Sequence, residues 1–508
     1  MSNVWITSIS SASAHGVFAI ESPPPAQIQA IGTGTVAMVG QFPWGPDAEL
    51  HESTSIGETK ALFAPPGMDR LSTGYLSLLS KAFPGLRVVR AVGSTAAKAT
   101  CALTAAGPVT KMTLTAKYKG VAGNDLVATV AAASDGDADH FDLTVTVTGA
   151  SGTTTDTIKN LNISGTGDDA FPDTDAELAQ LALVGTFTKT AAGRPANGTY
   201  TFSGGVTGTV NATAYVGTPN GGTSGIALFE GDSAIRHVFS DDCGSGERAA
   251  VNAGLEAHAL LMGDRCAYLN GDSGVSAVAN VRSDAADYSS TTRVVYADPW
   301  VYIYDDTTGS KQLVPGSSFM ASVASQLSPS TSIGWKSEEV QAMLSGIVGL
   351  EYRRGMGASG NTTAGVATFI REETGGYTIE AGVLTIAPVN PAKKNHTRTR
   401  IGDYIAVSLA KSLRPNVDAP NVKATWDLII PPTVAFLEGL KRAQFTDPAH
   451  LPHIIDYSLG SVESANTRAE IQRGELKLPL QVTTSAGIEK LIFLFQFGET
   501  VTVTQTNQ

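Results

Sequence analysis

The chain has 508 residues, enough for about three domains with buried cores. Charged residues make up only 16% and the net charge is −12, which excludes the basic footprint of a general nucleic-acid binder. No run of about 18 apolar residues could span a bilayer, and the N-terminus MSNVWITSIS lacks the Lys/Arg-led apolar core of a secretion signal. Cys101, Cys243 and Cys266 are odd in number and scattered, so they read as reduced, buried, cytosolic residues rather than a disulfide frame.

The first element is a short strand over Gly16–Glu21, with Val17 and Ala19 on one face and Phe18 and Ile20 on the other. Pro23, Pro24 and Pro25 then impose an extended spacer that cannot donate backbone hydrogen bonds. A strand tethered outside a domain in this way has an unpaired edge, so residues 1–30 read as an arm that pairs with a neighbouring subunit. Gly34–Gly40 reads as a strand buried on both faces. Helices over Ile56–Phe63 and Ser72–Phe83, the second capped by Ser72, lead to a buried strand at Leu86–Val92.

Composition changes near Ser94. From about 100 to 228 the chain is rich in Thr, Gly, Ala, Asn and Asp. Strands with period-two alternation are expected at Lys111–Tyr118, Asp125–Ala131, Phe141–Thr148, Thr153–Leu161 and Gly198–Phe202, with one helix at Asp173–Leu183. This stretch reads as a β-rich domain inserted into an α/β core formed by 31–98 and 230–487. In the second part of that core, strands are expected at Ile235–Ser240, Arg265–Asn270, Arg293–Ala297, Trp300–Tyr304 and Gly474–Thr483. Helices are expected at Gly246–Met262, Gly274–Asp287, Lys336–Ile347, Thr399–Leu413 and Thr433–Arg442. The segment 488–508 reads as a second strand-forming arm, with Leu491, Phe493, Phe495 and Phe497 on one face and Gly498 as a break; Gly474 is a further hinge position. The fold class is therefore a mixed α+β and α/β multidomain protein: a discontinuous α/β core, an inserted β-rich domain and extended terminal arms.

Chemical motifs are sparse. Asn270–Gly274 contains Gly-Asp-Ser-Gly, but between a strand and a helix rather than in an all-β protease context, so Asp272 and Ser273 read as a turn and helix N-cap. Asp241–Gly246 precedes a helix but lacks the Gly-Lys-Ser/Thr of a phosphate-binding loop and reads as a cap. His450 and His453 are separated by Pro452, which breaks the spacing a metal site on a helix would use. These readings imply no enzyme, no cofactor and no metal. A basic group, Lys393, Lys394, His396, Arg398, Arg400, Lys411 and Arg414, surrounds one helix in an acidic protein. It is either a solvated face or a contact to an acidic partner.

Three segments resemble landmarks of contractile tail sheath proteins. The first is the strand and proline linker followed by Val39-Gly40-Gln41-Phe42-Pro43-Trp44-Gly45-Pro46. The second is Ala297–Ser318, ADPWVYIYDDTTGSKQLVPGSS; the third is Arg400–Pro415, RIGDYIAVSLAKSLRP. Ala116–Leu126 resembles the start of the domain inserted in that family, through its Gly-x-x-Gly-Asn turn. One departure is the stretch after Val314-Pro315, which lacks the arginine that usually closes the small-residue helix there. The resemblance implies a structural subunit that forms six-fold rings stacked into a helical sheath around an inner tail tube protein. It further implies baseplate and tail terminator partners, no membrane or direct nucleic-acid contact, and a place in the tail after assembly in the host cytoplasm. It also places the C-terminal core innermost, so that Lys393, Lys394, Arg398, Arg400, Lys411 and Arg414 would face the tube. Residue patterns alone leave two other readings open: a surface adhesin acting through residues 100–225, and a hydrolase using Ser273.

Overall fold

The computed structural model describes residues 34–68, 72–78, 81–162, 179–305, 308–354, 360–373, 375–442 and 452–485, and the backbone of two short strands, Trp5–Ile6 and Ala19–Ile20. These two strands pair in parallel with each other. Val17, Phe18, Pro23, Pro24, Pro25, Leu491, Phe493, Phe495, Phe497 and Gly498 lie outside the described residues.

An eight-stranded sheet forms the centre, in the order Tyr377–Ile379, Val366–Arg371, Val294–Asp298, Cys266–Asn270, His237–Ser240, Thr35–Gly40, Gly85–Arg90 and His51–Ser53. The inner strands are parallel, and a three-residue antiparallel strand closes each edge. Val36–Val39 is fully buried because both faces of the sheet are covered, which is why it reads as an unbroken apolar run. One face sets Val36, Met38, Val88 and Tyr268 against the Ile56–Phe63, Thr73–Leu78 and Ser317–Gln326 helices. The other sets Ala37, Val39, Val238 and Leu269 against Ala212–Val216, Ser245–Met262 and Val278–Ala286. Ser317–Gln326 lies within the core because its small residues allow close approach. Its hydroxyls are satisfied on carbonyls, Ser318 on Pro315 at 2.9 Å and Ser322 on Ala82 at 2.7 Å.

Between the Gly85–Arg90 and His237–Ser240 strands the chain builds a β-sandwich. Lys98–Thr104, Thr110–Lys119 and Val184–Lys189 form one sheet; Val127–Ala132, His140–Gly149, Gly152–Asn162 and Gly198–Thr201 form the other. Alternate residues such as Leu114, Ala116, Leu143 and Val145 meet in a shared core. Lys98–Thr104 and Val184–Lys189 are strands that the sequence pattern does not announce. They read KATCALT and VGTFTK, with few large apolar residues, and both pair with Thr110–Lys119, which lies between them. Buried Asp156 fastens the return of the chain by accepting the amides of Ala182, Leu183 and Val184 at 2.8, 2.8 and 3.1 Å. The helix expected at Asp173–Leu183 falls largely outside the described residues.

Sandwich and central sheet are bolted together by Arg90, at the end of its strand. The guanidinium is 2% exposed and donates to the carbonyls of Phe42 (3.0 Å), Pro43 (3.2 Å), Gly45 (2.8 Å) and Lys119 (2.9 Å). The first three belong to the Val39–Pro46 motif and the last to the sandwich. Trp44 of the same motif enters the sandwich core, edge-on to Tyr118 at 5.4 Å, with its indole N–H on the Ala182 carbonyl. Gly45 has φ +100°, and a Cβ there would stand 2.3 Å from the Phe63 ring, so glycine is required.

Several boundaries differ from the sequence reading. Lys336–Ile347 is not one helix: Glu338–Met343 is helical, and Ile347–Leu350 pairs as a strand with Val301–Asp305, which suits its β-branched residues. The helix expected from Thr433 begins at Lys423 and runs through Pro431 and Pro432. Exposed Asp427, Leu428 and Pro431 place the carbonyls that lose their N–H partners on the solvent side. Gly474 has φ +77° and ends the Arg468–Gln472 helix, so the strand expected from Gly474 begins only at Leu480, after Pro479. Among the described residues no helix is long and apolar enough to cross a membrane.

Replacing Arg90 by Ala leaves four carbonyls, those of Phe42 and Gly45 in buried contacts, without this donor. Arg90→Ala is expected to cost about 3–5 kcal/mol in urea denaturation. A loss below about 1 kcal/mol would show that the joint is dispensable.

Candidate functional site

Doubly wound sheets bind ligands where the strand order reverses, outside the carboxyl ends of the strands. Here that point lies between Thr35–Gly40 and His237–Ser240, because the chain steps from the first of these to Gly85–Arg90 on one side and later returns on the other. Protein fills the crevice. Asp241, 1% exposed, accepts the Gln41 amide at 2.8 Å, the Thr73 hydroxyl at 2.5 Å and the Tyr215 hydroxyl at 2.7 Å. Burial pushes its carboxyl up to about 6, against the lowering effect of those bonds.

The neighbouring loops are occupied with one another. Arg248 bridges Asp242 at 2.6 Å and Asp272 at 2.8 Å, and stacks 4.9 Å from the Trp300 ring centre. Asp272 and Ser273 do not cap a helix. Gly274 (φ +82°) turns the chain away and gives its amide to Glu351, and the helix starts at Val278 without a side-chain cap. The Asp241–Gly246 segment does cap a helix, as expected, but through backbone rather than a side chain. Gly244 is the N-cap of Ser245–Met262 and Asp242 instead accepts its amide at 3.0 Å. His450 lies outside the described residues, and His453 stacks on Tyr404 with centroids 5.4 Å apart.

The C-terminal module offers the exposed surfaces. The His396–Leu413 and Lys423–Lys441 helices pack with a hairpin of Ile454–Leu459 and Leu480–Thr484 around Ile401, Ile405, Leu437, Leu440 and Ile454. The hairpin has only two strands, and its outer edges pair with no other described strand. Two arginines are prominent among the contacts that hold the module on the rest of the core. Arg293 grips Asp403 with two bonds of 2.6 and 2.8 Å, and Arg400 is buried.

Arg400 therefore leaves the group of proposed tube contacts. Its guanidinium donates to the carbonyls of Ala324 (2.7 Å), Leu327 (2.7 Å) and Thr331 (3.1 Å), at the C-terminus of the Ser317–Gln326 helix. A cation is favoured there because the last carbonyls of a helix are unpaired and carry its negative end. His396 is also buried. Lys393, Arg398, Lys411 and Arg414 are exposed, and Lys394 is half-buried. Lys393, Lys411 and Arg414 have no ion-pair partner among the described residues. The basic residues alone could not separate Arg400 from these, since they run through the helix start at mixed spacings and charge does not say which of them turns inward.

The chain matches no protein-family model and no curated protein. Its architecture is similar to that of solved structures. A sheath tail protein from Desulfitobacterium hafniense superposes with a TM-score of 0.60 at 16% identity, covering 88% of this chain and 93% of that one. One from Listeria innocua gives 0.57 at 14% identity, covering 90% and 96%. The anti-feeding prophage helical sheath in its contracted state gives 0.53 at 13% identity, covering 96% and 99%. The chain has the sheath tail protein fold. Within it, the three sequence landmarks are fasteners. Val39–Pro46 supplies the carbonyls for Arg90, and the segment from Ala297 supplies Asp298, which Arg354 holds with two 2.9 Å bonds. The segment from Arg400 supplies the cap of the Ser317–Gln326 helix and the Asp403 anchor.

The raised carboxyl of Asp241 has a measurable consequence. Its folded value, about 6, lies above the ordinary unfolded value near 4, so the folded state binds the proton more tightly. Its contribution to stability is present below about pH 4 and is lost as pH rises through about 6. Wild type is expected to gain on the order of 2 kcal/mol relative to Asp241→Asn between pH 7 and pH 4 in urea denaturation. Parallel pH profiles for the two proteins would refute the assignment.

Proposed function

We propose that this chain is a structural subunit of a contractile tail sheath. It would polymerise as six-fold rings around an inner tube and contract to drive the tube through a target envelope. One observation carries the reading: the fold of sheath tail proteins extends over nine-tenths of both chains, 90% and 96% in the Listeria case. The reading is non-enzymatic, in keeping with a switch-point crevice closed by Asp241, Gln41, Thr73 and Tyr215.

The mechanism follows from the edges. The hairpin Ile454–Leu459/Leu480–Thr484 has room for further strands. Gly16–Glu21 and Lys490–Val503, with Val17, Phe18, Ala19, Ile20, Leu491, Phe493, Phe495 and Phe497, are the strand-forming segments to fill it from neighbouring subunits. Backbone ladders would then link subunits through spacers at Pro23–Pro25 and Gly498, while the rigid cores turn and repack. Gly474, in its helix-ending turn, lies beside this hairpin. Each additional Å² of apolar surface buried in the contracted lattice contributes about 25 cal/mol, summed over all subunits, without nucleotide. In this arrangement residues 31–98 and 230–487 form the core, joined by Ala212–Val216 and Ile226, which pack on the central sheet rather than in the insertion as expected, and the sandwich is an outer domain. Lys393, Lys394, Arg398, Lys411 and Arg414 present charge to the inner tube protein, where contacts that are weak and screened can be released. Baseplate and terminator proteins would close the ends, and the assembled location would be the tail.

Negative-stain electron microscopy of the full chain beside truncations that start at Thr33 and end at Gly487 tests this. The full chain is expected to form tubes or stacked rings, and both truncations are expected to lose them. Monodisperse monomers in all three preparations would sink the reading.

A further inference from the structure

The joint between the central sheet and the His396–Leu413 helix contains a chain of three rings. The Tyr268 hydroxyl lies 2.9 Å from Nδ1 of His237 and 3.1 Å from Nε2 of His396. His237, Tyr268 and His396 are 2%, 1% and 0% exposed. His237 and Tyr268 stand on adjacent parallel strands, and His396 is the first residue of the helix, with its ring edge-on to Tyr268 at 5.8 Å. Nδ1 of His396 makes no hydrogen bond.

Two contacts to one hydroxyl need two protons. The phenol donates to one ring nitrogen, and the other nitrogen donates to the phenol oxygen. Two neutral imidazoles satisfy this. An added proton on the accepting ring turns both nitrogens into donors toward the same oxygen and leaves the phenol hydrogen without an acceptor. On His396 the second ring nitrogen offers no relief, because its surroundings supply no partner. The charge is also unwelcome. Arg400 lies one turn along the same helix, buried and held by carbonyls rather than by a carboxylate. Tyr268 faces the ring from its strand and His237 acts on it from the next, while Asp403 is already bound by Arg293. Burial, then Arg400, then His237 all hold the His396 imidazole well below the ordinary histidine range, with no opposing carboxylate among the described residues.

We propose that this chain of rings is an acid-sensitive latch: protonation of His396 drives its ring off the Tyr268 hydroxyl and frees the start of the His396–Leu413 helix from the central sheet. The backbone contacts that would open with it are the His396 amide on Gly382 (3.1 Å), the Leu384 amide on Lys394 (2.8 Å) and the Val383–Asn395 bridge. The latch belongs to the single chain and holds whether or not the chain forms a sheath. If it does, acid would loosen the module that carries the hairpin edges and the exposed basic residues.

Hydrogen exchange of the full-length chain, corrected for the intrinsic rate at each pH, reads the latch directly. Between pH 7.5 and 5.0, protection over residues 382–413 is expected to fall by about thirtyfold, the linkage of one imidazole titrating near 6.5 in the open form. Val294–Asp298 in the central sheet should keep its protection. His396→Gln, which retains a polar group but cannot titrate, is expected to abolish the drop. Wild-type protection that is equal at both pH values overturns the proposal, as does a full drop in His396→Gln. Should that variant not fold, the carbon shifts of the wild-type His396 ring decide: a ring that stays neutral at pH 5.0 beside a helix that has opened would also overturn it.

Discussion

Buried guanidinium groups bound to backbone carbonyls hold this molecule together. Arg90 collects four carbonyls where the sandwich meets the central sheet, and Arg400 collects three at the end of the Ser317–Gln326 helix. Arg265, fully buried, takes the Phe229 and Asp232 carbonyls at 2.8 and 2.6 Å and meets His258 at 2.8 Å. Only arginine suits these positions, since five donors in a planar fork reach several carbonyls at once and the delocalised charge is weakly hydrated. Desolvation is still felt: burial brings both Arg90 and Arg265 down to about 10. They remain cations at neutral pH.

Bonding to carbonyls rather than carboxylates has a structural consequence. A carbonyl cannot be neutralised by acid, so these joints do not weaken as pH falls. The carboxylate joints, Arg293–Asp403 and Arg354–Asp298, are two-bonded and largely buried, and burial raises both acids despite their partners. The ring chain at His396 and the Arg265–His258 contact are the exceptions among the joints, because each tolerates only one protonation state of its imidazole. The sheet itself needs no such device: covered on both faces by helices, it is held by apolar contact and its parallel ladder.

The sandwich shows how far pattern reading reaches. Strands with strict alternation, such as Thr110–Lys119 and His140–Gly149, are legible because one side faces a core and the other solvent. Lys98–Thr104 also buries alternate residues, but these are Ala99, Cys101 and Leu103 and Ala102 on the other face blurs the pattern; Val184–Lys189 alternates weakly, and both pair with Thr110–Lys119. Likewise, the helix after Val314-Pro315 lacks the arginine expected near its end in sequence, yet its terminal carbonyls receive Arg400 from more than seventy residues downstream, with separations of 73 and 76 to Leu327 and Ala324. A cap of that kind is invisible to local reading.

The sequence alone determined the alternation of strands and helices, the Thr/Gly-rich insertion and the absence of catalytic spacing motifs, since these follow from local propensity and periodicity. It also carried the landmarks that resemble the sheath family. Tertiary structure alone decided that those landmarks are joints, that Arg400 and His396 point inward while Lys411 and Arg414 point out, and that Asp241 closes the crevice between the Thr35–Gly40 and His237–Ser240 strands. A side chain's role depends on which distant carbonyl, ring or strand end the fold brings to it, and periodicity within one element carries no record of that partner.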